Sequence, residues 1–369
     1  MLQPSAIAMS YCLNPHCSHP KNPPSSQFCQ SCGTSLRLKD RYRPIKAIAQ
    51  GGFGRTFLAI DEDKPSKPYC VIKQFFPQTE KIQALKKASQ MFEREAVQLD
   101  ILGQHPQIPA LMAYFYQDNR PYLVQEFIEG NDLARELDLH GTLDETQIRA
   151  LLNNILPVLQ FVHQNQVIHR DIKPENLILR SRDKQLFLVD FGAAKAVEAA
   201  TLGLAGTAIG SVGYIAPEQA VGRANYTSDL YSLGVTCIHL LTNVHPFYLY
   251  NAHEGTWIWR DRLPAPISLI LCQILDKMLA PMPEQRHPSA EAILQALEEP
   301  YSQPAAPNNL DLEIERLRNQ LAPQTPVAQP PQNPPPSSTT KPNPLDAELE
   351  EIRAELLGST HRHQPPASS

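Results

Sequence analysis

The stretch VIHRDIKPENLIL, residues 167–179, carries more chemical information than any other part of this chain. Within six positions it holds a carboxylate, Asp171, an amine, Lys173, and an amide, Asn176. On one loop these groups can accept the proton of an attacking hydroxyl, neutralise charge on a transferred phosphoryl group and ligate Mg²⁺. The stretch therefore predicts a catalytic loop for phosphoryl transfer, with Asp171 as the base.

A second carboxylate follows at the end of an apolar strand, in LFLVDFG at 186–192. Asp190 lies fourteen residues after Asn176 and can bridge two phosphates through Mg²⁺ or Mn²⁺. A lone Asp-Phe-Gly is weak evidence, but His-Arg-Asp, Lys, Asn and Asp-Phe-Gly in this order leave little room for chance. We therefore predict that Asn176 and Asp190 are the metal ligands.

The segment IAQGGFGRTF at 48–57 predicts a glycine-rich turn over the phosphates of a nucleotide. Glycine lets the backbone come close to phosphate oxygens, although glycine-rich hairpins also occur for structural reasons alone. The nucleotide-binding residues that we expect in this turn are Ala49, Gln50, Gly51, Gly52, Phe53, Gly54 and Thr56.

Two further segments complete the expected nucleotide site. The strand YCVIK at 69–73 ends in Lys73, which can reach the α and β phosphates, and the helical pattern at 91–102 carries Glu95, which can pair with it. Glu93 is the alternative partner, but Glu95 keeps better phase with the apolar positions of the helix. In the strand and connector YLVQEFIEG, the backbone from Glu126 to Ile128 is expected to hydrogen-bond an adenine edge, with Gln125 behind the pocket.

These motifs, together with GYIAPEQ at 213–219 and SDLYSLGV at 228–235, resemble a eukaryotic-type (Hanks-type) Ser/Thr protein kinase domain over residues 41–300. The resemblance implies an α+β, bilobal fold with a β-rich small lobe and a helical large lobe, and an ATP-dependent transfer to Ser/Thr hydroxyls of proteins, including the chain itself. In that family the ledge segment, 213–219, shapes the peptide-binding surface. The resemblance also implies that Asp229 braces the catalytic loop and that Arg286 pairs with Glu218.

Two positions depart from the family pattern. Ala49 stands where the first glycine is usual and Thr56 where a valine packs over adenine, so we expect altered ATP affinity rather than loss of activity. Ala49, together with the apolar seams of the tail at 310–321 and 345–357, supports a rival hypothesis, a scaffold without catalysis, whereas the complete set of catalytic residues opposes it. For regulation, we hypothesise phosphorylation of Thr207, alone or with Thr201; Ser211 is a further hydroxyl nearby.

Four cysteines near the N-terminus form two short pairs, Cys12 with Cys17 and Cys29 with Cys32. Two such pairs on opposed turns can close a tetrahedron of thiolates around Zn²⁺, and a redox disulfide pair is the alternative. The layout is similar to that of cyanobacterial Ser/Thr kinases with an N-terminal four-cysteine motif, which implies a structural zinc ribbon. Whether the ribbon contacts another protein, nucleic acid or the kinase lobe stays open at this point.

Composition divides the chain into the zinc ribbon at 1–40, the kinase-like part at 41–300 and a Pro-rich tail at 301–369 that we expect to be disordered. Two tail segments, 310–321 and 345–357, repeat apolar residues at steps of four and three. Each is either a transient helix or a docking segment for a protein partner.

The bulk charge and hydropathy narrow the class of protein further. With 33 basic and 38 acidic residues, the net charge of −5 argues against binding of nucleic acid through the overall field. The sequence contains neither an apolar run of about 18 to 20 residues nor an N-terminal signal pattern. We therefore expect a cytoplasmic protein without a membrane span, whose partners are protein substrates.

Overall fold

The computed structural model describes residues 9–50, 54–77, 82–191 and 213–298. Three residues of the predicted phosphate turn, Gly51, Gly52 and Phe53, lie outside this part of the chain. The hydroxyls of Thr201, Thr207 and Ser211 and both tail segments, 310–321 and 345–357, also lie outside it.

A five-stranded antiparallel sheet forms the small lobe, in the order β3-β4-β5-β7-β6. Along β5, burial alternates from residue to residue, as a strand between two layers requires. Ile72 and Gln74 are buried on one face, whereas Val71 and Lys73 face a cleft on the other. The strands are β3 (Tyr42–Gln50), β4 (Gly54–Asp61), β5 (Tyr69–Phe75), β6 (Leu111–Gln117) and β7 (Arg120–Glu126).

One long helix, α1 (Ile82–Leu102), accompanies this sheet and packs against β6. Its buried side is apolar apart from Glu95, which is 8% exposed, while Leu99 and Leu102 are 3% and 0% exposed. Glu93 is on the exposed side. The helical phase inferred from the apolar positions therefore holds, and it brings Glu95 rather than Glu93 to the interior.

Helices build the large lobe around one apolar core. Helix α3 begins at a capping box between Asp144 and Gln147, and α5 begins at another between Asn225 and Ser228. Nearly every residue of α5 is buried, so this helix is the centre of the lobe. The helices are α2 (Leu133–His140), α3 (Glu145–Gln164), α4 (Pro217–Ala220), α5 (Tyr226–Thr242), α6 (Leu269–Met278) and α7 (Ala290–Glu298).

Between the lobes lies a small antiparallel sheet of β8 (Gly130–Asp132), β9 (Leu177–Arg180) and β10 (Leu186–Leu188). Two of its strands flank the predicted catalytic segments: β9 begins directly after a 3₁₀ turn at Pro174–Asn176, and β10 ends two residues before Asp190. A Cβ atom at Gly130 would lie 2.2 Å from the Leu179 carbonyl oxygen, so only glycine allows this close pairing. A separate hairpin in the large lobe pairs β11 (Tyr250–Asn251) with β12 (Thr256–Trp257).

The cysteine-rich segment packs on the small lobe. Its hairpin joins β1 (Ser10–Tyr11) to β2 (Lys21–Asn22), and Leu13 and Leu38 enter the apolar cluster on the outer face of the five-stranded sheet. Arg43 on β3 donates to Ser10 Oγ at 3.0 Å. The kinase-like lobe is therefore one partner of this segment, which answers the question that the sequence left open.

No helix in the described ranges combines the length and the hydropathy that a membrane crossing requires.

Candidate active site

A cleft of about 460 Å³ opens between the five-stranded sheet and the catalytic loop. Most of the residues predicted to bind nucleotide line it, whereas Gln50 and Gly54 do not. The predicted residues among its lining are Ala49, Thr56, Lys73, Glu126, Ile128, Lys173, Asn176 and Asp190.

One part of the cleft is lined by an apolar surface against which a flat ring can pack. Ile128 packs with Phe187 and Val189 in a small buried cluster, against which Ile178 also lies. Gln125 is 6% exposed and lines the same cleft. The connector after β7 thus offers backbone groups beside an apolar surface, a combination that binds a nucleobase through its edge and its faces.

Lys73 is held by two carboxylates. Its Nζ contacts Oε1 of Glu95 and Oδ1 of Asp190. Burial by itself would lower the pKa of Lys73, but the charges of Asp190 and Glu95 raise this pKa above its usual value. Lys73 is therefore protonated at neutral pH.

The catalytic loop gathers its polar groups around Asp171. Asn176 donates through Nδ2 to the carbonyl oxygen of Asp171 at 2.7 Å and to its carboxylate Oδ2 at 2.9 Å. Lys173 Nζ lies 3.5 Å from the same Oδ2. Asp171 itself does not line the cleft and reaches it through these two neighbours, both of which do.

Asp229 braces the backbone that leads into Asp171. Its carboxylate accepts hydrogen bonds from the backbone N–H groups of His169, at 2.9 Å, and Arg170, at 2.8 Å. His163 Nε2 lies 2.9 Å from the same carboxylate. The expected bracing role of Asp229 is therefore confirmed, and it is a role in the backbone geometry of the loop.

Two residues of the predicted active site have left-handed backbone conformations, Arg170 with φ 67° and Asp190 with φ 60°. For residues other than glycine such conformations cost about 1–3 kcal/mol each and persist only where the surroundings enforce them. Asp229 enforces the first through the N–H of Arg170, and Lys73 holds the side chain of the second. The strain lies at the two segments that carry the predicted base, Asp171, and the predicted metal ligand, Asp190.

His169 connects these two segments, a role that we did not assign from the sequence. Its Nε2 lies 3.1 Å from the carbonyl oxygen of Val189, and its Nδ1 lies 3.3 Å from the backbone N of Asp171. Since a carbonyl oxygen only accepts, Nε2 carries the proton and Nδ1 accepts the Asp171 N–H. Complete burial lowers the pKa of His169, which keeps the ring neutral in this arrangement.

The ledge segment is fixed to the large lobe by a buried ion pair. Arg286 donates to both carboxylate oxygens of Glu218, at 2.7 and 2.9 Å. Burial would raise the pKa of Glu218, but hydrogen bonds from Arg286 and Ser228 lower it below its usual value. The pairing that the resemblance implied is thus confirmed.

The four N-terminal cysteines converge at a distance from the cleft. Their Sγ atoms all lie within 4.8 Å of one another, and the pairs Cys12–Cys32 and Cys17–Cys29 are 3.6 Å apart. A tetrahedral site with metal–sulfur bonds of about 2.3 Å has edges of about 3.8 Å, whereas a disulfide is about 2.05 Å long. Hydrogen bonding to Thr34 lowers the pKa of Cys32 to about 6. The cluster is therefore compatible with a metal held by four thiolates.

Comparison with known proteins agrees with this architecture. Serine/threonine-protein kinase B of Synechocystis sp. is 42% identical over 301 residues, which are 79% of this chain and 52% of that protein. Serine/threonine-protein kinase PknA of Nostoc sp. is 42% identical over 283 residues, 72% of this chain and 50% of that protein. The chain thus spans about half the length of these curated relatives.

A solved structure, PpkA-294 in its apo form, matches with a TM-score of 0.60 at 22% identity, covering 74% of this chain and 100% of that chain. This likeness confirms the predicted bilobal fold, with a β-sheet small lobe and a helical large lobe. The sequence model described as "Protein kinase domain" matches residues 42–302. Because that match covers well over half of the sequence and includes every element around the cleft, this chain belongs to the protein kinase family.

Proposed function

We propose that this chain is a Ser/Thr protein kinase that transfers the γ-phosphoryl group of Mg-ATP to Ser/Thr hydroxyls of proteins, including its own. One observation carries the proposal. Lys73, with its two carboxylates, lies across one cleft from Lys173 and Asn176, which contact Asp171. A binding protein has no need for this set of groups, whereas phosphoryl transfer uses each of them.

The catalytic loop supports a base role for Asp171. The amide of Asn176 and the ammonium of Lys173 both contact Asp171 Oδ2, so this carboxylate is held in one orientation. An ionised carboxylate orients an incoming hydroxyl and accepts its proton. Lys173, beside it, is placed to neutralise charge on the group being transferred.

The residues at the cleft also fit a divalent cation. Asn176 uses Nδ2 on Asp171, which leaves its amide oxygen available, and Asp190 adds a carboxylate that is 41% exposed. Oxygen donors of this kind suit Mg²⁺ or Mn²⁺. When bound, such an ion neutralises the phosphate charges, while Lys73 and the backbone from Glu126 to Ile128 hold the rest of the nucleotide.

The test compares the parent chain with Asp171→Asn and Asp190→Ala during incubation with Mg-ATP and a generic protein acceptor. Phosphate incorporation on Ser/Thr by the parent alone, located by mass spectrometry, supports the proposal. Equal incorporation in all three samples indicates a contaminating kinase and favours the scaffold hypothesis. The same spectra show whether Thr201, Thr207 or Ser211 becomes phosphorylated.

We propose further that the four cysteines hold a structural Zn²⁺. The support is the distance of 3.6 Å in both close sulfur pairs, since this distance approaches a tetrahedral edge and exceeds a disulfide bond. Metal analysis of the purified chain tests the proposal: one equivalent of zinc is expected, and Cys29→Ser with Cys32→Ser should remove it. Full retention of zinc in that variant would contradict it.

The cytoplasm is the location that we propose for the chain. None of the seven cysteines forms a disulfide, a state that a reducing compartment maintains. Cell fractionation with a tagged full-length chain tests this proposal. Docking of protein partners through the tail segments or the ribbon stays a prediction.

A further inference from the structure

The side chain of Gln219 connects the ledge segment to the catalytic loop. Gln219 lies in α4, is 6% exposed, and donates from Nε2 to the carbonyl oxygen of Arg170 at 2.7 Å. Since that oxygen can only accept, the amide nitrogen must be the atom that faces it. Arg170 directly precedes Asp171, so this hydrogen bond acts one residue away from the proposed base.

The bond fixes a particular peptide plane. The carbonyl of Arg170 and the N–H of Asp171 belong to one planar unit. Gln219 holds the oxygen of this unit, and His169 Nδ1 lies 3.3 Å from its nitrogen. The Cα of Asp171 lies in this plane, so the direction in which its carboxylate projects depends on both contacts.

Gln219 also acts on a strained part of the backbone. Arg170 has a φ of 67°, and its N–H is held by Asp229. Asp229 therefore secures the N–H of Arg170 and Gln219 its carbonyl. On the other side, Glu218 of the same short helix is tied to Arg286, so α4 is anchored both to the large lobe and to the catalytic loop.

The other amide atom argues against a purely stabilising role. Oε1 of Gln219 is buried and has no hydrogen-bond partner among the residues that the structure describes. Burying an unpaired polar atom opposes folding, and an apolar side chain of the same length would avoid that penalty. The amide contributes at this position through the hydrogen bond that its Nε2 donates to the carbonyl oxygen of Arg170.

We propose that Gln219 is a positioning residue for phosphoryl transfer, which orients Asp171 by holding the Arg170–Asp171 peptide when the ledge segment is in place. This inference rests on the proposed kinase activity. It predicts a loss in the rate of transfer and not in nucleotide binding, because Gln219 does not line the cleft.

The experiment measures kcat, the KM for ATP and the thermal stability of the parent, Gln219→Met and Gln219→Glu. Both variants keep the length of the side chain and lack the N–H donor. We expect kcat to fall about tenfold or more, since small misplacements of a catalytic group are costly, while the KM for ATP is unchanged. The melting temperature of Gln219→Met should stay close to that of the parent, because the loss of the bond to the Arg170 carbonyl is offset by removal of the unpaired Oε1.

Gln107 provides the matched control. It is 8% exposed, and its Nε2 donates to the carbonyl oxygen of Leu186 at 2.8 Å and to the Oδ1 and carbonyl oxygen of Asn154 at 2.7 and 3.2 Å. Gln107→Met therefore removes a buried hydrogen bond to the backbone, together with the bonds to Asn154, at a site away from Asp171. We expect it to lower the melting temperature and to leave kcat at the parental value.

The outcomes separate the two proposals. If the parent transfers no phosphate, the proposed function fails. If the parent is active and both Gln219 variants keep its kcat, the positioning role of Gln219 is overturned. The same holds if kcat, ATP affinity and melting temperature decline together in both variants. Should Gln219→Met fail to fold, the kinetics of Gln219→Glu decide.

Discussion

Gln74 donates from Nε2 to the backbone carbonyl oxygen of Leu13, at 2.9 Å, in the interior of the small lobe. Leu13 directly follows Cys12, and Gln74 directly follows Lys73. Because side chains alternate along a strand, Gln74 faces the ribbon while Lys73 faces the cleft. The proposed zinc ribbon therefore contacts one face of this strand, and Lys73, the lysine proposed to bind nucleotide, lies on the opposite face.

Removal of the metal should therefore destabilise the small lobe as well as the ribbon. If the ribbon opens, Leu13 and the partly buried Tyr11 leave the sheet, and a buried side chain of the size of Leu13 contributes about 1.5–3 kcal/mol. A large domain loses about 2–4 °C of melting temperature per kcal/mol, so we expect a fall of about 3–12 °C after treatment with a chelator, read by calorimetry. Readdition of Zn²⁺ should restore it.

The Cys12→Ser, Cys17→Ser double variant is the control for this measurement. It should begin at the lower melting temperature and not respond to the chelator. Loss of zinc from the parent with no change in melting temperature would contradict the link between ribbon and lobe.

The pair of Glu218 and Arg286 should be needed for stability. Arg286 is 3% exposed and also donates to the carbonyl oxygens of Ala280 and Pro281, so truncating either partner leaves buried polar groups without partners. We expect Arg286→Met to cost about 3–5 kcal/mol of unfolding free energy, measured in urea. Combined with Glu218→Leu, it should cost less than the sum of the two single changes.

An exposed ion pair gives the comparison. Asp183 accepts from Arg180 at the surface, and exposed pairs contribute little to stability. Asp183→Asn should therefore unfold close to the parental urea concentration. If Arg286→Met does the same, the buried pair has no structural role.

Several of these relationships were accessible from the sequence. The order of the motifs predicted the catalytic loop, and the phase of the apolar positions in α1 selected Glu95 over Glu93. The pairing of Glu218 with Arg286 and the bracing by Asp229 followed from the family resemblance. In each case the information lies in a local pattern or in a motif with a fixed partner.

The hydrogen bonds of Gln74 and Gln219 could not be predicted from the sequence. Gln74 reaches Leu13 across 61 positions, and Gln219 reaches Arg170 across 49. A bond from a side-chain amide to a backbone carbonyl requires only proximity in the fold, so it leaves no periodicity or spacing to detect. The docking of the ribbon and the positioning role of Gln219 therefore became visible only in three dimensions.

Stability should fall on mild acidification because of His287. This side chain is 6% exposed, and burial, followed by the charge of Lys277, lowers its pKa from 6.5 to about 4. Between these values the unfolded chain binds a proton that the folded chain does not, so the contribution is complete above about pH 6.5 and is lost as pH falls toward 4. Urea unfolding between pH 7.5 and 5 measures this slope.

His287→Asn should reduce the pH dependence, because the amide does not titrate in this range. His253→Asn, at an exposed position, is the matched control and should keep the parental slope. An unchanged slope in His287→Asn would assign the acid sensitivity to other groups, such as His239, whose pKa is lowered by burial to about 4.

The two candidate partners of Lys73 can be separated by experiment, because they lie two positions apart on α1. Glu95 is buried and contacts Lys73 Nζ, whereas Glu93 is on the exposed side of the helix. Glu95→Gln keeps the shape of the side chain and removes its charge, so Lys73 would be held by Asp190 alone. Asp190 would then be less available to a cation. We expect kcat/KM for ATP to fall by about tenfold to a hundredfold, measured with a protein acceptor at fixed Mg²⁺.

Glu93→Gln removes the same charge from the same helix and should leave kcat/KM unchanged. Equal losses in the two variants would mean that the net charge of α1, and not the contact with Lys73, supports nucleotide binding.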